Sequence, residues 1–327
     1  MRSYIRKCIN DMHIKKKNKE NEKYSGFTNI EEPELYNANG EQMNVWYLRD
    51  NQSWTYPYSF TYGRMPLHLF WDRYSFRLPI HVYSHNYITE TKGNPQKKYA
   101  YLIESEAIFP GDYEIFDRNP GLSNEFDKIF THSAKILNNY SNAIYVPAAG
   151  VYYGTKHGGG QLDEKLYLKK DRNISIVSSD KNMCHLHKVR MEIARYLKNT
   201  GKGDVFGTFD GGKNIKIAES LTNYRYSFAI ENNINEFYFT EKLLNCFASM
   251  TIPIYLGAEK IDKFFNKDGI IIIKEKDLEN IDNIIDKCNK ADYEDRKEAI
   301  LDNFERVKKY LCVEDFLYET YPELFSR

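Results

Sequence analysis

The chain has 327 residues, which is long for a single compact core, so its length favours two domains. Lys and Arg together number 46 and so do Asp and Glu, and this balance argues against the basic surface of a nucleic-acid-binding protein. The five cysteines are scattered without CxxC spacing, which argues against a disulfide framework or a zinc ribbon and favours a reducing compartment.

Residues 1–42 carry the charged run KKKNKENEKY and little periodic apolar pattern. This composition predicts a flexible arm, and its basic cluster leaves open a peripheral contact with the inner face of a membrane. No stretch approaches the roughly 20 apolar residues of a membrane span, and the N-terminus lacks the apolar segment of an export signal. We therefore expect a cytoplasmic protein.

Short apolar runs predict an α/β domain over residues 43–160. The runs are MNVWYL (43–48), IHVYSH (80–85), KYAYLI (98–103), FDKIFTH (126–132) and NAIYVP (142–147). Polar or helical segments separate them, as in a sheet with helical connections. Three glycines at 158–160 and the charged segment after them predict a linker.

Strand and helix patterns alternate more clearly over residues 161–312, and residues 313–327 form a predicted C-terminal tail or helix. Predicted strands are 174–179, 203–209, 226–230, 252–256 and 269–273, and predicted helices are 184–199, 213–221, 241–250, 277–288 and 293–311. Repeated βα units predict a parallel, doubly wound sheet that binds ligands at the carboxyl ends of its strands. Two such domains facing each other would enclose a cleft.

A cation interrupts the apolar stripe of the predicted helix at 184–199. Leu186, Arg190, Ile193 and Leu197 fall on one face at helical spacing. The Arg190 guanidinium either snorkels from the stripe or pairs with a structural carboxylate, or it binds a phosphate through its planar fork. The residues alone leave these interpretations open.

An acid and a base stand side by side where another helix begins. Thr240 is the predicted N-cap of this helix, so Glu241 and Lys242 fall in its first turn. A cation there opposes the helix dipole unless an anion is also present, which favours a phosphate held by backbone amides and Lys242 together. The alternative is that Glu241 balances the dipole while Lys242 points to solvent.

Several common ligand-binding patterns do not occur in the sequence. Neither GxxxxGK[ST] nor GxGxxG is present, which argues against a P-loop NTPase or an ordinary dinucleotide enzyme. No Asp-x-Asp pair is present to chelate a metal with a diphosphate, and His185 and His187 project to different faces of a helix, so we expect no metal site. Basic residues would therefore have to neutralise any bound diphosphate.

Glu104 and Glu106 follow an apolar strand of the first predicted domain, at the end where such sheets bind ligands. If the extended conformation persists, both side chains point to one side. A carboxylate that faces the cleft could act as a general base. The alternative is a solvated loop.

Three motifs between residues 228 and 257 occur in a fixed order. Phe228, Glu231 and Asn232 form a Phe-x-x-Glu-Asn core, residues 238–242 read Tyr-x-Thr-Glu-Lys, and residues 252–257 read IPIYLG. In order and spacing they resemble the signature of the α1,3-fucosyltransferase family, glycosyltransferase family 10. Fainter similarity covers ISIVSSDKN and HKVRMEIARYL around Arg190, and YAYLIESEAIFP around Glu104.

The resemblance implies the GT-B architecture, in which two Rossmann-like domains, one for the acceptor and one for the donor, face each other across a cleft. It implies inverting transfer of a sugar, foremost L-fucose from GDP-fucose, to a hydroxyl of a glycan acceptor, with no cofactor and no essential metal. Glu104 would take the acceptor proton, and Glu241 would offset positive charge on the sugar ring. The implied donor-binding residues are Ser178, Arg190, Glu231, Asn232, Tyr238 and Lys242, with Arg190 and Lys242 on the diphosphate.

Departures from the family pattern keep two further hypotheses open. The loop NINEFYF (233–239) replaces a glycine-containing version found in several relatives, so the donor could carry a different deoxy sugar, a heptose or a pentose. The other hypothesis is a protein that binds a nucleotide or a glycan without turnover. The retained base and both phosphate ligands argue against the latter.

Overall fold

A computed structural model describes residues 34–50, 61 and 63–325 of the chain. Most of the predicted N-terminal arm, residues 1–33, lies outside the described residues. Among the described residues, none of the helices combines the length and the apolarity needed to cross a membrane.

The first sheet has six parallel strands in the order β2-β1-β3-β4-β5-β6. They are β1 Asn44–Arg49, β2 Leu69–Asp72, β3 Ile80–Ser84, β4 Lys97–Leu102, β5 Lys128–Thr131 and β6 Ala143–Tyr145. Three helices lie in its connections: α1 Pro110–Tyr113, α2 Ile115–Arg118 and α3 Ala134–Asn139. Five strands agree with predicted apolar runs, whereas β2 was not predicted. Its four residues are all buried, so this short strand shows no alternation by which to recognise it.

The second sheet has five parallel strands in the order β11-β10-β9-β7-β8. They are β7 Arg172–Val177, β8 Asp204–Phe206, β9 Tyr224–Ile230, β10 Ile252–Leu256 and β11 Ile271–Ile272. The connecting helices are α4 His185–Thr200, α5 Ile217–Leu221 and α6 Glu241–Ala248. Two parallel sheets with helical connections confirm the predicted α/β fold class.

The C-terminal helices are α7 Ile281–Ile285, α8 Lys290–Asp295, α9 Lys297–Val307 and α10 Val313–Thr320. They are shorter than predicted. The first four residues of the predicted helix 277–288 belong to a 3-10 segment that ends at Asn280, and Arg296 separates α8 from α9. Asn289 accepts from the backbone N–H of Asp292 and so starts α8 before the predicted helix at 293.

The last helix crosses back onto the first sheet. Val313 and Leu317 are buried in the same apolar cluster as Trp46 and Trp71. The Trp71 Nε1–H donates to the buried Glu314 carboxylate at 2.6 Å. The predicted domain boundaries at residues 42, 160 and 312 stay predictions, but this packing shows that the end of the chain helps to cover the first sheet.

The segment between the sheets is held by neighbours on both sides. The backbone N–H groups of Tyr152 and Tyr153 both donate to the Asn245 side-chain oxygen on α6 at 2.8 Å. Arg64, from the first half of the chain, donates to the Tyr153 carbonyl at 3.1 Å. A Cβ at Gly158 would lie 1.8 Å from the Tyr152 carbonyl oxygen, so this turn admits only glycine. The three glycines of the predicted linker therefore lie in a tightly packed turn.

Strand order locates the place where the second sheet should bind a ligand. From β7 the chain proceeds to β8 at one edge, whereas from β9 it proceeds through β10 to β11 at the other. β7 and β9 are neighbours, so the connections diverge between their carboxyl ends. Open parallel sheets bind ligands in the crevice at such a reversal.

We predict that Glu314→Ala lowers the free energy of unfolding by about 1–3 kcal/mol, because the buried Trp71 N–H loses this acceptor. Urea unfolding followed by tryptophan fluorescence measures the change. Glu319→Ala, at an exposed position of the same helix, is the matched control and should change stability little. Equal stability of the two variants would contradict the role given to Glu314.

Candidate active site

A cavity of about 790 Å³ lies at the carboxyl ends of both sheets and draws its walls from both. Seven of the eight predicted site residues line it: Glu104, Ser178, Arg190, Asn232, Tyr238, Glu241 and Lys242. A second depression of about 990 Å³, formed between residues 271 and 296, contains none of them. The chemistry that the sequence predicts therefore converges on the first cavity.

The two central strands of the second sheet deliver polar residues to the expected crevice. Ser178 follows β7 directly, and Glu231 and Asn232 follow β9. The Ser178 hydroxyl is buried and has no hydrogen-bond partner within the described part of the chain. A buried hydroxyl is costly to leave unpaired, which makes this position suited to contact a polar ligand.

Arg190 reaches the cavity from α4 instead of extending to solvent. Its Nη2 donates to the Ile230 carbonyl at 2.6 Å and to the Asn232 side-chain oxygen at 3.1 Å. Its Nε–H is buried without an acceptor among the described residues. Burial lowers the pKa of the guanidinium, although the nearby Glu231 and Glu241 carboxylates oppose this shift. An anchored guanidinium whose buried Nε–H has no acceptor among the described residues fits the phosphate interpretation better than a snorkelling side chain does.

The start of α6 has the predicted N-cap. Thr240 adopts an extended conformation, and its hydroxyl oxygen accepts from the Lys242 backbone N–H at 3.4 Å and from the Lys242 ammonium at 2.9 Å. The Lys242 side chain is 22% exposed and the Glu241 side chain 24%. Both line the cavity, so the alternative of a lysine in bulk solvent is wrong.

Glu231 does not line the cavity and is fully buried behind it. Its carboxylate accepts from the Thr240 backbone N–H at 2.8 Å and from the Thr240 hydroxyl at 2.7 Å. The Lys242 ammonium lies 3.6 Å away. Burial raises the pKa of Glu231, and the Lys242 charge opposes that shift. This geometry makes Glu231 the residue that fixes the helix start.

The neighbouring charges of Glu241 and Lys242 stabilise each other at 3.1 Å. Burial alone would raise the pKa of Glu241, but Lys242 outweighs it and holds that pKa below the usual value. Burial alone would lower the pKa of Lys242, but Glu241 and Glu231 outweigh it and raise that pKa. Both groups are therefore charged at neutral pH.

Glu104 faces these groups from the first sheet, two residues beyond the end of β4. Burial raises the pKa of its carboxyl group, and nearby Glu241 adds to the shift, while His85 and Lys242 oppose it. A partly desolvated carboxylate with a raised pKa is a stronger base than a solvated one. The alternative of a solvated loop is wrong for Glu104.

Aromatic residues that the sequence did not single out hold the Glu104 backbone. The Tyr113 hydroxyl donates to the Glu104 carbonyl, and His132 Nε2 lies 2.8 Å from that hydroxyl. Burial lowers the pKa of His132 to about 4, so its ring is neutral. The His132 ring packs 4.8 Å from the Tyr238 ring, which links the two halves of the cavity.

A buried histidine also stands beside Glu104. His85 follows β3 with a positive φ of 52°, a conformation that costs energy for a residue other than glycine. Its Nδ1 lies 2.5 Å from the Asp112 carboxylate. The only sequence signal was a histidine at the last position of a predicted strand, 80–85.

Glu106 does not share the position of Glu104. Its carboxylate accepts from the Ser133 hydroxyl at 2.6 Å, and it is absent from the cavity wall. Glu106 is therefore engaged at the start of α3, and it is not in position to take over the role of a base in this cavity.

Two facing parallel sheets with a cavity at their carboxyl ends form the architecture called GT-B, as the sequence predicted. Residues 167–297 match the family model described as glycosyltransferase family 10 (fucosyltransferase), C-terminal region. Eighty-eight residues are 36% identical to an α-(1,3)-fucosyltransferase of Helicobacter pylori, which is 27% of this chain and 18% of that protein. These matches confirm the resemblance seen in the motifs.

Solved structures with a similar chain path have low sequence identity. An α1,3-fucosyltransferase with GDP aligns with a TM-score of 0.49 and 16% identity over 88% of this chain and 95% of its own. An α1,3-fucosyltransferase with GDP-fucose aligns with a TM-score of 0.46 and 18% identity over 80% of this chain and 81% of its own. A sucrose-phosphate synthase from Thermosynechococcus elongatus aligns with a TM-score of 0.49 and 12% identity over 77% of this chain and 75% of its own.

We predict that Lys242→Met raises the pKa of Glu241 above its ordinary value, because burial then acts without the compensating cation. Carboxyl ¹³C titration by NMR measures the shift. In the wild type, the depressed pKa adds stability above the unfolded-state pKa, and this stability is lost as the pH falls through the folded-state pKa. Lys198→Met, which removes an exposed pair with Asp210, is the control. A Glu241 pKa that stays low in Lys242→Met would refute the pairing.

Proposed function

We propose that the protein is an inverting glycosyltransferase that moves a sugar, foremost L-fucose from GDP-fucose, to a hydroxyl group of a glycan acceptor. One observation carries the proposal: a carboxylate with a raised pKa, Glu104, faces the cations Arg190 and Lys242 across a single cavity. The first side chain comes from the first sheet and the other two come from elements around the second. A displacement reaction needs this separation of base and leaving-group ligands.

The reaction would be a single in-line displacement. As the acceptor oxygen bonds to the anomeric carbon, its proton passes to the Glu104 carboxylate. The bond from that carbon to the diphosphate oxygen breaks, and GDP leaves with the electron pair. Attack from the face opposite the leaving group inverts the configuration of the anomeric carbon.

The departing diphosphate would be stabilised by fixed charges. Lys242 in the first turn of α6, the helix dipole and the spare Arg190 N–H all favour developing negative charge on the leaving oxygens. Glu241 beside Lys242 would face the sugar ring, where positive charge develops. Among the described residues no group of three His, Cys, Asp or Glu side chains is placed to hold a metal ion. We propose that Arg190 and Lys242 neutralise the diphosphate, without an essential metal and without a cofactor.

The family match supports fucose as the transferred sugar, because the matched model is one of fucosyltransferases. The loop 233–239 is folded around Asn235, whose side-chain oxygen accepts from the N–H groups of Phe237 and Tyr238 at 3.0 and 2.7 Å. This loop leads directly to Tyr238 in the cavity wall. Another sugar on the same nucleotide is the second candidate, because the loop departs from the glycine-containing form.

We predict that Glu104→Gln lowers the transfer rate by about 10²- to 10⁴-fold and leaves GDP affinity within about twofold, because the base contacts the acceptor and not the diphosphate. Transfer of labelled fucose and calorimetric GDP titration separate the two effects. In the wild type, the rate should rise with pH through the raised pKa of Glu104, since the base must be ionised. Glu106→Gln is the matched control and should retain activity. Full transfer by Glu104→Gln would eliminate its role as the base.

We predict that GDP raises the melting temperature more than UDP, CMP or dTDP does, and that EDTA leaves the transfer rate unchanged. Thermal shift compares the nucleotides, and transfer assays with GDP-fucose and other GDP-sugars identify the donor. A preference for UDP would refute the GDP assignment. Nucleotide binding without turnover of any donor would identify a binding protein, and loss of activity in EDTA would show that a metal is required.

A further inference from the structure

His187 lies in the first turn of α4 and is 5% exposed, yet it contributes to the cavity wall. Its two ring nitrogens have different partners. Nδ1 accepts from the Met183 backbone N–H at 3.1 Å, and Nε2 lies 3.1 Å from the side-chain oxygen of Asn232. The roles that the sequence analysis implied for the donor site do not include this histidine.

The partners determine the tautomer of His187. A backbone N–H can only donate, so Nδ1 must be an unprotonated acceptor. The remaining proton is then on Nε2, which donates to Asn232. The ring is neutral in this arrangement, because a proton on Nδ1 would face the Met183 N–H.

The same partners determine the orientation of the Asn232 carboxamide. His187 Nε2 and Arg190 Nη2 both point at one atom of this amide, each at 3.1 Å. Two donors require an acceptor, so that atom is the oxygen. The Asn232 amide nitrogen has no hydrogen-bond partner within the described part of the chain, and the residue lines the cavity. Its N–H groups are thus left as donors for a ligand.

We propose that neutral His187 is a positioning residue of the donor site, which holds the Asn232 carboxamide so that its N–H groups bind the anionic diphosphate of a nucleotide. This inference rests on the proposed function and adds to it a residue that acts through another. Arg190 shares the amide oxygen but also donates to the Ile230 carbonyl. By contrast, the Nε2 of His187 has one hydrogen-bond partner among the described residues, the Asn232 side-chain oxygen.

The surroundings of His187 favour its neutral form. Burial lowers the pKa of the imidazole, and the positive charges of Arg190 on the same helix, Lys242 on α6 and Lys181 in the preceding loop lower it further. The hydrogen bond to Asn232 opposes this shift. His187 is therefore neutral at physiological pH and gains a proton only as the pH falls below the ordinary range for histidine, about 6.5.

A double-mutant cycle with GDP as the probe tests the coupling. His187→Leu should weaken GDP binding about tenfold in the wild-type background, because the amide loses its orienting donor. In the Asn232→Ala background the same change should matter less than about twofold. An equal loss in both backgrounds would refute action through Asn232. Calorimetry measures affinity, and circular dichroism confirms that each variant is folded.

Two polar substitutions separate orientation from bulk. Glutamine places its amide nitrogen near the Nε2 position, so His187→Gln should keep GDP affinity within about threefold at pH 7.5. Asparagine is too short to reach Asn232, so His187→Asn should lose as much affinity as His187→Leu. The reverse order of the two variants would overturn the proposal.

A pH series compares the wild type with His187→Gln, so that titration of GDP itself cancels. Below pH 6.5, the affinity of the wild type should fall relative to that of the glutamine variant, because protonation of His187 breaks the contact with Met183. Parallel curves, or a relative gain for the wild type, would contradict the mechanism. If the wild type binds GDP but the cycle shows no coupling between His187 and Asn232, this inference is refuted and the proposed function is not. Failure of the wild type to bind GDP refutes the proposed function.

Discussion

The donor side of the cavity depends on one buried carboxylate. Glu231 directly follows β9 and has no exposure to solvent, and burial of a charge is tolerated only where partners satisfy it. The Thr240 N–H, the Thr240 hydroxyl and the Lys242 ammonium supply those partners. Because Thr240 is the N-cap of α6 and Lys242 lies in its first turn, these contacts hold the strand and the helix in one orientation. A Cβ at Gly257 would lie 2.5 Å from the Glu231 side chain, so the position directly after β10 requires glycine.

The charges around the Glu231 carboxylate leave the cations of Arg190 and Lys242 able to contact a ligand in the cavity. Lys242 is shared by Thr240, Glu241 and Glu231, and Arg190 is anchored by a carbonyl and an amide oxygen. Side chains fixed before a ligand arrives need little reorganisation when it binds, which is the physical basis of electrostatic stabilisation in an enclosed site. Glu104 faces them from the other sheet, and the packed turn at residues 152–158 holds the halves of the chain together.

The sequence predicted the second half of the molecule better than the first. β9, α6 and β10 are local elements with strong apolar patterns, so their positions agreed with prediction to within two residues. β2 was missed because a four-residue buried strand has no periodicity. The crossing of α10 onto the first sheet could not be predicted, since Trp71 and Glu314 lie more than 200 residues apart and neither marks its partner in the sequence.

Site residues divide in the same way. One short segment of the sequence, residues 231–242, contains Glu231, Asn232, Thr240, Glu241 and Lys242. A helix that starts with an acid and a base already favours an anion at that end. The sequence alone therefore determined the fold class, the helix start and the candidate phosphate ligands.

Only the tertiary structure decided which interpretation of each group is correct. Arg190 lines the cavity, and Glu104 lies on the opposite wall. Glu106 lies away from the cavity, and Glu231 is buried behind it. His187 gained its partner Asn232 by the same means. The reason is that burial, pKa and hydrogen-bond partners arise from contacts between distant segments, whereas the sequence pattern records only near neighbours along the chain.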